Sequence, residues 1–351
     1  MWGGYVEGKE FLKVLCEGHA PSGREHWLHE EVKKAFRFCD ENSVDNLNNL
    51  YVRKDGNGKG KIMLSAHLDE VFLMVNGIKE SGFLSFIIKG IDRKALVSQE
   101  VIIHGKKDIL GIIGIKPPHL MNEEERNRGV RLDELFIDTG YSKERLEKIV
   151  SIGDFITIKR NFIGLLNDNV ACKALDNRAS VASLYYCARQ LENQEHDLDV
   201  YFVFSAQEEV GARGVTVASN SLSPTIGIAI DTTFDSGKLG DKERELVLGD
   251  GPVISIGPNI HPKLRKKIID IAKNNGMPYQ VEVEPGNTGT DAWYIQISRD
   301  GIPTLLISIP IKYMHTSVEV ANLNDIKNTG RLLAEFIASL KFKELEELLC
   351  F

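Results

Sequence analysis

Four of the strongest apolar runs in this chain end in groups that bind protons or metal ions. Ile62 to Ala66 leads into His67-Leu68-Asp69-Glu70, Val200 to Gln207 into Glu208-Glu209, and Ile226 to Ile230 into Asp231, while Leu305 to Pro310 stops a few residues before His315. Asp176 stands at the start of a helical pattern, after a short apolar segment. Structural duty gives no reason to line up carboxylates and imidazoles where strands end; a shared metal centre does. Asp176, Asp231 and one member of the Glu208-Glu209 pair supply three anionic ligands, and His67 and His315 supply two neutral ones. Three negative charges leave a pair of zinc-like ions with residual positive charge, enough to hold and acidify a water as two-metal hydrolases require.

The ions of such a pair lie ~3.5 to 4 Å apart, so one carboxylate has to bridge them. Asp176 is expected to do so, because a helix-start position is fixed by backbone. His67 and Asp231 would then complete one ion, and the glutamate and His315 the other. Asp69, two residues after His67 and on the same side of an extended strand, is placed to accept the second imidazole N–H and orient the ring. Glu208 and Glu209 point in different directions, so one can ligate while its neighbour takes a proton from the metal-bound water; the residues by themselves allow either order. Each residue also has a plainer reading. His-x-Asp pairs occur on surfaces, Glu-Glu pairs on solvated helix faces, and an Asp before a helix is commonly its N-cap. Only the ensemble argues for a metal. His19, His26, His29 and His104 lack such placement and read as surface or packing residues, and His196 and His261 as loop or helix-start residues.

The elements that must position these groups follow from the hydrophobic periodicity. Two short helical patterns, around Glu10 to Cys16 and Glu25 to Phe38, precede a polar loop holding Asp45 to Asn49 and the turn signal DGNGKG. From about Val71 to about Arg160 the texture changes to short β-type segments (FLSFIIKG, VSQEVIIHG, ILGIIGI, FITIKR) broken by Gly and by a charged loop at Asn122 to Arg131. That stretch reads as a β-rich insertion. Beyond it, helices (from Asn177, from Pro262 to Asn275 with Gly276 closing it, and one holding Leu332 to Leu340) alternate with strands at Val200–Ser205, Ile226–Ile230, Tyr279–Val283 and Thr304–Ile309. Such βα alternation predicts an α/β fold, a mixed and mostly parallel sheet sandwiched by helices, which binds ligands beyond the carboxyl ends of its strands.

At 351 residues the chain is long for one core, so a main domain plus a smaller one is expected. A net charge of -7 from 43 basic and 50 acidic residues, with no basic stripe to attract a phosphate backbone, predicts no nucleic-acid partner. No apolar run reaches the ~20 residues that span a bilayer and no signal peptide is evident, which predicts no membrane partner and a cytoplasmic location. Five scattered cysteines (16, 39, 172, 187, 350) without a C-x-x-C pair fit reduced, buried thiols.

SAHLDEV, KALDNR, FSAQEEVGARG, AIDTT, GTDA and KYMHTSVEV, in this order and with APSGRE and GIKPPH between and before them, resemble the TET or glutamyl-type aminopeptidases, the family-42 metallopeptidases. The resemblance spans nearly the whole chain. It implies a di-zinc peptidase fold at 1–70 and 161–351, with an inserted β-barrel or PDZ-like dimerisation domain at 71–160. It implies His67, Asp176, Glu209, Asp231 and His315 as ligands of two divalent ions, zinc or cobalt, with Glu208 as general base, Asp69 behind His67, and Thr290 and Asp291 near the substrate. It further implies hydrolysis of the first peptide bond of short peptides, and dimers assembling to a homo-dodecamer. Phe72, Asn177 and Lys312 depart from the family's usual residues, and His119 matches a loop position of no derivable role. A glycosidase, the rival enzyme class, would need two carboxylates and neither His67 nor His315; a serine hydrolase would need a G-x-S-x-G elbow that is missing.

Overall fold

The computed structural model describes residues 7–57, 60–236 and 246–350. In chain order, the helix Gly8–Glu17 comes first, and β1 (Glu41–Val44) then pairs antiparallel with β2 (Leu50–Lys54). β3 (Lys61–His67) is buried at six consecutive positions, so both of its faces are covered. β4 (Phe72–Ile78), β5 (Leu84–Lys89), β6 (Glu100–His104), β7 (Asp108–Gly114), β8 (Phe136–Asp138) and β9 (Phe155–Ile158) follow. The chain continues with β10 (Ile163–Gly164), β11 (Asn169–Cys172), β12 (Asp199–Ser205), β13 (Ile226–Phe234), β14 (Val253–Ile256), β15 (Gln280–Val283), β16 (Thr304–Lys312) and β17 (Glu319–Asn322).

The chain divides into two compact units, Met1–Glu70 with Phe162–Met314 and Glu319–Phe351, and Val71–Asn161 with His315–Val318. Among the described residues the first unit holds an 11-stranded mixed sheet in the order β1-β2-β12-β3-β13-β16-β17-β11-β10, with β14 joining β15 to β16. Its centre, β12-β3-β13-β16, is parallel. These central strands are near-continuous apolar runs, as parallel strands under helical layers must be. Their side chains share one core with Phe11 and Leu15 of the first helix, Val181, Leu184 and Leu191 of the helix Leu175–Leu191, and Leu332, Leu333 and Phe336 of the helix Leu323–Ser339.

In the second unit, β4-β5-β8-β7-β6-β9 close into a barrel. β7 alternates strictly between exposed and buried residues, the period-2 signature of a wall with one face on a core. Leu73, Leu84, Val101, Ile113, Ile137 and Ile156 fill that core. Phe72 starts β4 and packs edge-on against Phe155 at 5.2 Å, and His119 is exposed on a single 3-10 turn, Pro118–Leu120.

The expected α/β sheet and β-rich insertion are both present, with local differences. The helical pattern from Glu25 breaks at Leu28 into the 3-10 turn Glu25–Trp27 and the helix His29–Ala35. β13 runs on to Phe234, because its parallel register with β16 continues through Thr232↔Ile309 and Phe234↔Ile311, so Asp231 lies inside the strand and not past its end. Cys16, Cys172 and Cys187 are buried as expected; Cys39 is half-buried, and Cys350 is exposed because it follows the last short helix, Leu345–Leu349. No helix among the described residues is long and apolar enough to cross a membrane.

Candidate metal centre

The sheet brings most of the singled-out residues of the first unit to one place. His67 is the last residue of β3, in register with Ser205 at the end of β12. Glu208 and Glu209 lie in the turn just beyond β12, after Gln207, whose φ of 57° is left-handed. Asp231 comes from β13, which pairs with β3 on its other side. Asp176 sits before the helix proper: at φ -77° and ψ 101° it is extended, and helical torsions begin only after Asn177.

The four elements converge on the His67 ring. Its Nε2 lies 3.2 Å from Asp176 Oδ1, 3.9 Å from Asp231 Oδ1 and 4.0 Å from Glu208 Oε2. One ligand atom each from His67, Asp176 and Glu209 all fall within 4.8 Å of one another, a group that could hold a metal ion. Nδ1, on the other side of the ring, faces Asp69 at 3.2 Å from its carbonyl oxygen and 3.5 Å from Oδ1. His67, Asp176 and Asp231 are all buried.

Their electrostatics are those of a cavity with too much negative charge. Burial, together with the charges of Asp231, Asp291 and Glu209, pushes the Glu208 carboxyl up to about 10 despite the relief offered by His67. Burial and then the Asp176 carboxylate push Asp231 well above the ordinary carboxylate range. Burial opposes a charged His67, yet Asp176, Asp69, Glu208 and Asp231 outweigh it and hold the imidazolium well above its usual pKa. Divalent ions bound here would offset the carboxylates, favour a neutral His67 ring and draw the Glu208 pKa down. One imidazole and several buried carboxylates are the donor set such ions take, so the residues fit the group.

Behind this constellation lies a set of supports. Asp69 accepts from the Glu208 and Glu209 N–H groups at 3.0 and 3.2 Å and from the Ser22 hydroxyl at 2.5 Å. The Glu25 Oε1 accepts from the Gln207 N–H at 3.0 Å; burial and the nearby Asp69 charge push that carboxyl up to about 7. Glu319 accepts from the Asp176 N–H at 2.9 Å. The Asn177 amide donates to the Ile230 carbonyl at 2.9 Å, which an ionised aspartate there could not do, and Ser180 donates to the Asp231 carbonyl at 3.1 Å.

Asp291 and Thr290 have structural partners. The Asp291 Oδ2 accepts from Ser65 of β3 at 2.6 Å and from Ser205 of β12 at 2.7 Å, tying together the two strands that deliver His67 and the Glu208-Glu209 turn. Thr290 caps the helix Asp291–Gln296. Lys312 lies 3.5 Å from Asp235. His315, three residues past β16, has a left-handed φ of 60° and accepts from the Asp92 N–H through its carbonyl; it groups with the second unit. Glu25, Ser65, Ser205 and Glu319 were not picked out from the sequence. All four lie inside quoted motifs: Glu25 in APSGRE, Ser65 in SAHLDEV, Ser205 in FSAQEEVGARG and Glu319 in KYMHTSVEV.

Comparison with known proteins places the chain among its relatives. Residues 48–332 match the family described as M42 glutamyl aminopeptidase. The chain is 38% identical over 347 residues to the lysyl aminopeptidase of Pyrococcus furiosus, covering 95% of this chain and 97% of that one. The structure of a TET aminopeptidase from a marine sediment archaeon, Thaumarchaeota archaeon, is similar at a TM-score of 0.92 and 30% identity over 97% of this chain and 98% of that one. The TET1 peptidase of Pyrococcus horikoshii, which can assemble into a tetrahedron or a large octahedral shell, is similar at a TM-score of 0.84 and 32% identity over 95% and 100%. Similarity over this length, with the metal-ready cluster at the strand ends, makes the chain an aminopeptidase of the hydrolase class, and it belongs to the M42 glutamyl aminopeptidase family.

Proposed function

We propose that this aminopeptidase removes N-terminal residues from short peptides with two divalent ions, zinc or cobalt, and that Glu208 is its general base. Asp176, Glu209, Asp231 and His67 would hold the ions; His315 joins them on the strength of its sequence motif alone. The observation that carries the reading is the convergence of Asp176, Asp231 and Glu208 on the buried Nε2 of His67, the last residue of the parallel strand β3. When bound, the ions would supply Lewis-acid polarisation of the scissile carbonyl and acidify the attacking water. Glu208 would take the water's proton and hand it to the leaving amine. Asp69 would keep the His67 ring in its ligating orientation. Asp291 ties β3 to β12 through Ser65 and Ser205, Thr290 caps the helix that Asp291 starts, and both would also lie near the bound substrate.

The cysteine pattern, with no disulfide among five thiols, favours the cytoplasm. By analogy with its relatives, the protein would work as a homo-oligomer that builds dimers into a dodecamer, with the barrel unit as a dimerisation domain.

The test is a panel of aminoacyl-anilides and short peptides, free or N-acetylated, assayed after chelation and after readdition of zinc, cobalt or manganese. Activity should vanish with the chelator, return with zinc or cobalt and be confined to free N-termini. Glu208→Gln should keep its metal content and lose at least about 100-fold in kcat. Hydrolysis that survives thorough metal removal, or a fully active Glu208→Gln, would sink the reading.

A further inference from the structure

We propose that Glu25 is a positioning residue for the metal centre, fixing the Gln207-Glu208-Glu209 peptide that presents the base and a ligand. The inference rests on the roles given above to Glu208 and Glu209. Three successive backbone N–H groups of that peptide are each held by a carboxylate from elsewhere in the chain: Gln207 donates to Glu25 Oε1 at 3.0 Å, Glu208 to Asp69 Oδ1 at 3.0 Å, and Glu209 to Asp69 Oδ2 at 3.2 Å. A run of N–H groups bent through a left-handed residue makes a concave anion site, and Gln207 supplies that bend with its φ of 57°. In this protein the anions are its own side chains. Glu25 therefore anchors the first peptide of the turn, just as Asp69 anchors the next two.

The segment before Glu25 is built to deliver it. Glu25 Oε1 also accepts from the Gly23 N–H at 2.7 Å, and Gly23 has a φ of 88°, open to glycine and strained for other residues. Ser22 in the same segment donates to Asp69 at 2.5 Å, so one short stretch touches both carboxylates. Pro21 bridges to Glu70, and the Ala20 N–H donates to Glu70 Oε1 at 2.9 Å, fastening the stretch to the exit of β3. Glu25 is 0% exposed, and its Oε2 is buried with no hydrogen-bond partner among the described residues. A side chain serving packing alone would not carry that desolvation cost. What the carboxylate does is hold the turn, and a shift of about 1 Å in groups bearing a base and a ligand is enough to cost about 100-fold in rate.

The experiment compares full-length Glu25→Leu, Glu25→Asp and Glu25→Gln with the wild type, by steady-state kinetics with cobalt loaded and by cobalt titration followed through its visible absorption. Leucine removes the acceptor, aspartate withdraws it by one methylene, and glutamine keeps Oε1. Leucine and aspartate should each lower kcat about 100-fold with KM within about threefold, and weaken cobalt binding about tenfold, while glutamine returns kcat to within about tenfold of wild type. The proposal falls if folded Glu25→Asp or Glu25→Leu binds cobalt and turns over within about twofold of wild type, or if glutamine is as impaired as aspartate. Should the leucine variant not fold, the aspartate and glutamine pair decides by the same criteria. Glu208→Gln run alongside separates the layers: full activity there overturns the proposed function, whereas the cobalt titrations still judge Glu25.

Discussion

Asp69 is ringed by donors: the Glu208 N–H on Oδ1, the Glu209 N–H and the Ser22 hydroxyl on Oδ2, and the His67 ring 3.5 Å from Oδ1. Its carboxyl is held below the ordinary range, although burial works the other way, because His67, Ser22 and the Glu208 N–H all favour the anion. Asp69→Asn therefore puts an amide N–H₂ against at least one existing donor whichever way the amide turns. The expected result is a 10- to 100-fold loss in metal affinity and in kcat, read by metal titration and kinetics; an asparagine variant with wild-type affinity would show that the carboxylate only fills space. The ligand candidates were legible in the sequence because His67, the Glu208-Glu209 pair and Asp231 each terminate or interrupt an apolar run. Ser65, Ser205 and Glu25 were not, since a serine inside a strand and a glutamate before a helix look ordinary until the fold brings them to Asp291 and Gln207.

Between elements, Asn49 joins the β1–β2 hairpin to the turn after β12. Its amide N–H₂ donates to the Gly214 carbonyl at 2.9 Å and to Asp45 at 2.7 Å, and its oxygen accepts from the Ala206 N–H at 2.8 Å, one residue before the Gln207 turn. With Asn49 fully buried, Asn49→Ala strands the Ala206 N–H and the Gly214 carbonyl and should cost about 2–4 kcal/mol. Urea unfolding would show it as a lowered midpoint at unchanged slope; a midpoint equal to wild type would mean that water takes over both groups. The helix His29–Ala35 adds a pH effect. Burial, then Lys33, lowers the His29 pKa from 6.5 to about 4. Between those values the unfolded chain binds a proton that the folded chain refuses, so stability is complete above about pH 6.5 and falls as pH drops toward 4. By pH 5 the loss should reach about 2 kcal/mol, and it should be absent from the pH 7 to 5 difference of His29→Gln; equal pH dependence of the two proteins would remove His29 as the cause. Periodicity revealed the long central strands, but not β1, which is exposed throughout, nor β8 and β10, which have three and two residues. Such segments are too short to show a period, and only pairing with a neighbour makes them strands.

On the scale of the whole molecule, the first unit exposes apolar side chains in a place that invites a second copy. β10 and β11 form a tight hairpin whose turn residues, Asn167 and Asp168, both have positive φ, as a two-residue type I′ turn requires. Just before that turn, Leu165 and Leu166 are 47% and 86% exposed, and Ile163 is 48% exposed. Asp168 also accepts from the Asn324 amide at 3.1 Å, so the hairpin is pinned to the start of the helix Leu323–Ser339 and presents its leucines on a firm base. Adjacent leucines on a pinned turn, where a monomer gains nothing by exposing them, are the kind of anchor that closed assemblies bury. Light scattering of the wild type should then give a mass near twelve times the 39.2 kDa chain. Leu165→Asp combined with Leu166→Glu should shift that mass to dimers or monomers, because a carboxylate buried in an apolar contact costs several kcal/mol per copy. The circular dichroism spectrum and the hydrolysis of a single aminoacyl-anilide should stay near wild type, since Leu165 and Leu166 sit by the turn of the hairpin, at the other end of β11 from the Cys172↔Glu319 pairing that leads to Asp176. A double variant that keeps the full assembly would show that these leucines lie outside its contacts, and a wild type that runs as a monomer would overturn the assembly itself.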